Sequence, residues 1–445
     1  MREAISTNSG GPPETSLVWL RHDLRLEDNP VFALPSVRRP YQLLVMYVLD
    51  QRWLTPVEGL PRLGPARLRL LWQSLMNLRG MLLRRGSDLL VRVGDPVSEV
   101  LAQVRQHDVD CLEVSHSRTP DDAGNLQRLA AQLPASTRLH CHPREGLVLE
   151  PLDERDATQE PTALWTPPQV MESPAHGAKA MSLAAPELPA SSRLSPALAS
   201  CGAMSLRLDD AQWWTRHASR NPLQGLPCSL PPWPESASRG FPPLEAVCAT
   251  ASAWQPVGEI ATLQGGEEPA REQLSSLVWS RPESEDAEVQ AAWRLSAWLA
   301  QGCISPRRIL QALAEHRREM GESLAAHQLM AVLLQREYWQ RVLQAQPEES
   351  LMGWYGEALE KEAACDVAFQ RWREGRTGDV RVDRAMHRLT REGWLSWDER
   401  QHLARAWLAA GGDWRLGARW FEHCLLDFDA AVHWGEWRHL AGQPV

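Results

Sequence analysis

No run of about 20 apolar residues occurs in this 445-residue chain, so nothing in it reads as a membrane-spanning helix. Nor does the opening read as a signal peptide. The opening MREAISTNSGGPPE is small and polar, which predicts a disordered tail over residues 1–15 and a cytoplasmic protein. The cysteines (Cys111, Cys141, Cys201, Cys228, Cys248, Cys303, Cys365 and Cys424) form no CxxC pair, and no histidine stands at zinc-finger spacing. They predict buried thiols in a reducing compartment, with neither a disulfide frame nor a metal site. Positive charge is also short. A formal net charge of -9 disfavours wholesale nucleic-acid binding, since affinity for phosphates comes from Lys and Arg, and leaves DNA as a weak partner through a local basic groove. What the chain does have is bulk: 43% hydrophobic and 23% charged residues suffice for two cores, hence two domains.

From Ser16 onward, short apolar runs alternate with amphipathic stretches. LVWL (Leu17 to Leu20), YQLLVMYVL (Tyr41 to Leu49), SDLLVRVG (Ser87 to Gly94) and CLEVSH (Cys111 to His116) read as strands. Helices are predicted from about Gly64 to Arg85 and from Pro96 to His107. Continuous apolar strands separated by helices predict a parallel α/β domain over 16–149, covered on both faces. Between 150 and 264, Pro, Ala and Ser dominate and periodicity fades, which predicts an irregular interdomain linker. The remainder, 265–445, is helical throughout, with a Pro-led start at Ser305 and Pro306 and a second helix from Leu324 to Gln344.

Near the end of the chain, Gly393 to Gly442 carries Trp407, Trp414, Trp420, Trp434 and Trp437 on an Arg- and Asp-rich background. Leu403, Ala406, Trp407 and Ala410 follow helical spacing, so a Trp-rich helical core accounts for much of the pattern. Asp427 and Asp429 beside an apolar run need more, because an unpaired buried carboxylate is costly; Arg400 is a candidate partner. Asp413, Trp414, Arg415, Gly417, Ala418, Trp420, Phe421, Glu422, Leu425, Asp427 and Asp429 resemble the DWRxGAxWFExxLxDYD pattern of the cryptochrome/photolyase family, in its DASH-type form. Trp19, Arg21, Asp23, Leu24, Arg25, Asp28 and Asn29 resemble that family's amino-terminal signature. The resemblance implies a Rossmann-like α/β domain followed by an all-α FAD-binding domain. It also implies FAD as cofactor, and a folate or deazaflavin antenna that no residue here identifies.

Carried over position by position, the resemblance implies that Ser296, Trp298, Gly302, Ser305 and Pro306 belong to the segment holding the flavin diphosphate. Ala292 and Trp293 replace two hydroxyl donors there, and Arg294 substitutes as a charge. Arg336, Glu337 and Tyr338 keep the scaffold of the lesion-facing helix, whereas the family's acid has become Val332 and its stacking Trp has become Gln335. Trp394 is kept; Trp397 and Asp398 replace an Asn and an Arg of the flavin cleft. Arg400 and Asp427 are implied as an ion pair beside the isoalloxazine, Asp429 is a further flavin-binding candidate, and His433 stands at the position facing N5, where a titratable imidazole could donate a proton. Trp437 and Trp414 match the first two members of an electron relay. The third position is Glu362, with Trp372, Trp394 or Trp407 as alternative exits. The family's second lesion aromatic is His439, and the chain stops at Val445 ahead of the family's capping segment, which predicts a more open cleft.

Three functions follow from these residues. A flavin-binding blue-light or redox protein that has lost repair explains the kept Arg400, Asp427, Asp429, Trp414 and Trp437. An active DASH-type deoxyribodipyrimidine photolyase, a lyase, is opposed by Val332, Gln335, Trp397 and His439. A flavin-free structural or partner-binding relic leaves His433 as a satisfied core histidine. No residue pattern identifies a protein partner.

Overall fold

The computed structural model describes residues 14–32, 41–55, 61–116, 119–142, 225–227, 229–242, 247, 263–279, 291–321, 324–345 and 367–442. Five strands, β1 (Glu14–Leu20), β2 (Tyr41–Asp50), β3 (Leu90–Gly94), β4 (Cys111–Ser115) and β5 (Arg138–His142), form one parallel sheet in the order β3-β2-β1-β4-β5. Leu17, Val18, Leu20, Leu43, Leu44 and Val45 of the two central strands are wholly inaccessible, because helices cover both faces of the sheet. Those helices are the short α1 (Gln51–Leu54), then α2 (Pro65–Leu83), α3 (Pro96–Gln106) and α4 (Pro120–Ala130). Each of the last three begins on a proline, and Asp95 and Thr119 cap α3 and α4 by accepting from the amides of Ser98 and Asp122.

Two boundaries differ from the sequence reading. β1 starts at Glu14, inside the expected tail, since Glu14 and Thr15 continue the ladder opposite Tyr41 and Gln42 although neither is apolar. β5 is largely exposed at the sheet edge, so no apolar run announces it. Residues 1–13 of the expected tail, and 143–224 at the end of the α/β domain and through most of the linker, lie outside the described residues. Within 225–242, the described linker residues form no helix or strand; Gly240 pairs with β3, where Val91 N donates to Gly240 O at 3.0 Å, and Pro232 O accepts from Leu43 N of β2 at 3.1 Å.

After β5 the described elements are all helical. They are α5 (Glu267–Trp279), α6 (Ser296–Gln301), α7 (Pro306–Met320), α8 (Leu324–Ala345), α9 (Val367–Arg373), α10 (Val380–Glu392), α11 (Trp397–Ala409), α12 (Trp414–Cys424) and α13 (Ala430–Leu440). The last six enclose an aromatic core of Trp339, Phe369, Trp372, Trp407, Phe421, Trp434 and Trp437. Gly417 on α12 is what lets it close: a Cβ there would collide with Trp437 and meet Trp407.

The amino-terminal signature builds the joint between the two halves. Arg25 donates to Asp28 O at 2.7 Å and to Gly302 O at 3.2 Å, and Arg307 pairs with the buried Asp28. Glu267 accepts from the amides of Leu26 and Glu27 at 2.6 and 3.1 Å. Gly302 ends α6 with φ of 69° and has no room for a side chain against the His22 carbonyl, so glycine is required twice over.

Candidate functional site

A solvent-open cleft of about 830 Å³ lies among α6, α8, α11 and α13, lined by residues from each of them. Ser296, Arg336, Trp397, Arg400, Asp427, Asp429, His433 and Trp437 all line it.

Asp427 stands just before α13 with its side chain 4% exposed. Its Oδ2 accepts from Arg400 at 2.9 Å and from the Ser296 hydroxyl at 2.5 Å. Arg400 is held in turn by donating from Nε to Leu395 O at 3.0 Å. Asp427 Oδ1 is buried with no hydrogen-bond partner among the described residues, an acceptor left over beside the cleft. Asp429 is spent on structure. Its Oδ1 caps α13 at the amides of Ala431 and Val432, while Oδ2 takes Arg336 at 3.1 Å and Gln340 at 3.3 Å.

His433 is 8% exposed, and its Nε2–H donates to Ala418 O at 2.8 Å, which leaves Nδ1 an acceptor. Burial pushes its pKa down to about 4, so the imidazole is neutral near pH 7, contrary to the sequence expectation of a group titrating there. A carboxyl the sequence reading missed takes that place. Glu436 lines the cleft one turn from His433 and is 8% exposed. Its Oε1 accepts from Trp339 Nε1 at 2.5 Å and Gln335 Nε2 at 2.8 Å, and burial pushes its pKa up to about 7. No sequence signal singled it out: only in the fold are Ala430, Ala431, His433, Trp434, Gly435 and Trp437 buried around it.

Other expected residues sit differently. Arg294 and Trp394 do not line the cleft. The Arg294 guanidinium lies 5.3 Å over the Trp394 ring, a cation–π contact, so it is not placed as a substitute donor for phosphate. The Ser296 hydroxyl, expected at the diphosphate, has its single proton between Asp427 and Trp293 O, the latter at 2.7 Å. In the positions of the lost donors, Trp293 and Trp397 stack at 5.7 Å and 16° along the cleft. Val332 and Gln335 also line it, 5% and 6% exposed. Trp414 is half-buried away from the cleft, 5.9 Å from Trp434. Glu362 lies outside the described residues. Of the alternative exits, Trp407 and Trp372 are in ring contact at 5.2 Å, and Trp407 closes with Trp437 over Gly417.

Residues 16–179 match the family described as DNA photolyase, and residues 326–445 match the FAD binding domain of DNA photolyase. Fold and cleft thus define a photolyase-like, two-domain flavoprotein. A cryptochrome DASH from Synechocystis sp. is 30% identical over 450 residues, spanning 97% of this chain and 81% of that protein. One from Gloeobacter violaceus is 28% identical, spanning 96% and 79%. The chain belongs to the cryptochrome/photolyase family. In fold it is similar to the crystal structure of the Synechocystis cryptochrome, with a TM-score of 0.71, 24% identity and coverage of 98% and 83%. A class III photolyase from Agrobacterium tumefaciens gives a TM-score of 0.64 at 19% identity, covering 99% and 82%. No helix among the described residues is long and apolar enough to cross a membrane.

The residues present fit a flavin. The unpartnered Asp427 Oδ1 calls for a donor from a ligand, and a flavin offers ring N–H groups and ribityl hydroxyls. The stacked Trp293 and Trp397 supply flat apolar surface in place of the missing hydroxyls.

Proposed function

We propose that this chain is a flavin-dependent blue-light or redox protein in which cyclobutane-dimer repair has been lost. The observation that carries the reading is the state of the cleft where the family meets its lesion. Val332 offers no proton and Gln335 no π-face, and the Gln335 amide is committed to Glu436 at 2.8 Å. Base stacking on an aromatic contributes about 1–3 kcal/mol per base, and that contribution is gone. The frame of the proposal is the division read from the sequence, with an α/β domain over 16–149, a linker over 150–264 and the helical domain over 265–445.

FAD supplies blue-light absorption and one-electron chemistry when bound. Arg400, Asp427 and His433 are the residues proposed to hold its ring, with Trp293 and Trp397 along the rest of the cleft. Asp427 holds the Arg400 guanidinium at 2.9 Å, where its remaining N–H groups can donate to a ligand beside it. His433, neutral, presents Nδ1 as an acceptor. Glu436 is the group that can hold or give up a proton near neutrality, because burial has brought its carboxyl to about 7. Trp437 is the cleft-lining indole on α13 that can pass an electron inward, with Trp407 and Trp372, tilted against each other at 5.2 Å, behind it as the proposed continuation.

The visible spectrum of the purified protein under blue light, with an external thiol as electron donor, tests this. Flavin bands that bleach in the wild type and stay unbleached in Trp437→Phe are expected. Absence of flavin, or equal bleaching in the variant, contradicts the assignment.

A further inference from the structure

At the edge of the α/β domain's sheet, one face of the β4–β5 ribbon carries Cys111, Glu113, His140 and His142. Alternate residues of a strand share a face, and the parallel register sets Glu113 opposite His140. Three donor atoms converge there. Cys111 Sγ lies 3.2 Å from Glu113 Oε1 and 3.5 Å from His140 Nδ1, and Nδ1 lies 3.3 Å from the same Oε1. We propose that Cys111, Glu113 and His140 bind a divalent transition-metal ion of zinc type.

The triangle has the right size. Bonds of about 2.0–2.3 Å to a tetrahedral ion place neighbouring donors about 3.3–3.8 Å apart, so one ion can sit just above the three atoms without moving them far. The donor set also suits the ion, since one sulfur, one imidazole nitrogen and one carboxylate oxygen favour zinc over calcium or magnesium. His142 completes the arrangement from behind: its Nε2–H donates to Glu113 Oε2 at 2.5 Å, fixing the carboxylate and leaving Oε1 for the ion.

Charge points the same way. The Glu113 side chain is 3% exposed, and its ion-pair partners among the described residues are His140 and His142, which are cationic only when protonated. A bound dication gives this acid a permanent counter-charge. In the metal-free protein the Cys111 thiol donates to Glu113. On binding, the ion takes the thiolate, and that proton passes to solvent. His140, 47% exposed, gives the ion a way in and leaves the fourth position to water. The site fastens the edge strand β5 to β4, and it lies outside the helical domain.

The test is titration of the metal-stripped, full-length protein with Co²⁺, read by difference spectroscopy against the flavin background. One equivalent should bring up a thiolate-to-cobalt charge-transfer band with tetrahedral d–d bands, and Zn²⁺ should abolish both. Cys111→Ser should lose the charge-transfer band. His140→Gln, at an exposed position that the fold tolerates, should weaken binding about 100-fold or more, and Cys141→Ser should change nothing. Zn²⁺ should also raise the Tm of the stripped wild type and leave that of His140→Gln unmoved. No thiolate band in the wild type, or equal affinity in His140→Gln, overturns the proposal and leaves the cluster as a hydrogen-bonded strand edge.

Discussion

Replacing Glu436 by Gln removes a charge from a place that hardly tolerates one while keeping an oxygen for Trp339 and Gln335 to donate to. Burial raises this carboxyl from 4.5 to about 7. At about 1.4 kcal/mol per pH unit, that displacement corresponds to about 3 kcal/mol. The sign follows from proton counting. Between about pH 4.5 and 7 the unfolded chain has released the proton and the folded chain still holds it, so stability falls as pH rises through this window and levels off above it. Glu436→Gln has no such proton. Relative to wild type, it should therefore gain stability with rising pH, by up to about 3 kcal/mol on the alkaline side. Urea denaturation of both proteins at a series of pH values from about 5 to 8.5 measures the difference directly. A difference that stays constant across the series, or that favours the wild type at high pH, refutes the claim that Glu436 is buried and proton-bound near neutrality.

Three further outcomes follow from the helical domain. Asp427→Asn leaves Arg400 without its counter-charge and should weaken flavin retention by about 3 kcal/mol, read as flavin lost on dilution; full retention removes the pair from the site. His433→Asn should leave the pH profile of flavin photoreduction between about 6 and 8 in place, because the imidazole, held down at about 4, does not titrate there. A shifted profile returns the proton-bearing role to His433. Gly417→Ala forces a methyl against Trp437 and Trp407 and should cost about 1–3 kcal/mol of stability by overpacking, visible as a lower Tm; an unchanged Tm means the two indoles are not closed over this glycine.

The sheet was legible because its central strands are buried on both faces and so spell continuous apolar runs, as Leu17 to Leu20 and Tyr41 to Leu49 do. Edge strand β5 spells nothing of the kind, since Arg138, His140 and Cys141 face solvent. In the helical half, Arg400 and Asp427 could be paired from sequence because a carboxylate beside an apolar run requires a partner, and the structure brings them to 2.9 Å. What could not be read was which titratable group burial would favour. His433 and Glu436 are neighbours on α13, but desolvation drives the imidazole down and the carboxyl up, and only the packing of Trp339 and Gln335 from α8 reveals the second. Arg294 illustrates the complementary failure. A charge in the right register was assigned to the cleft, but the Trp394 face captured it. The cysteine spacing likewise concealed the β4–β5 cluster, whose donors come from two strands at period 2 and so leave no CxxC-like mark.

The measurement that bears most directly on the account is light-driven repair of a cyclobutane thymine dimer in single-stranded DNA by the purified protein, counted per bound flavin. The cleft walls of Val332 and Gln335 predict that flavin is present and photoreduces while the dimer persists. Catalytic restoration of the thymines by the wild-type chain contradicts the account.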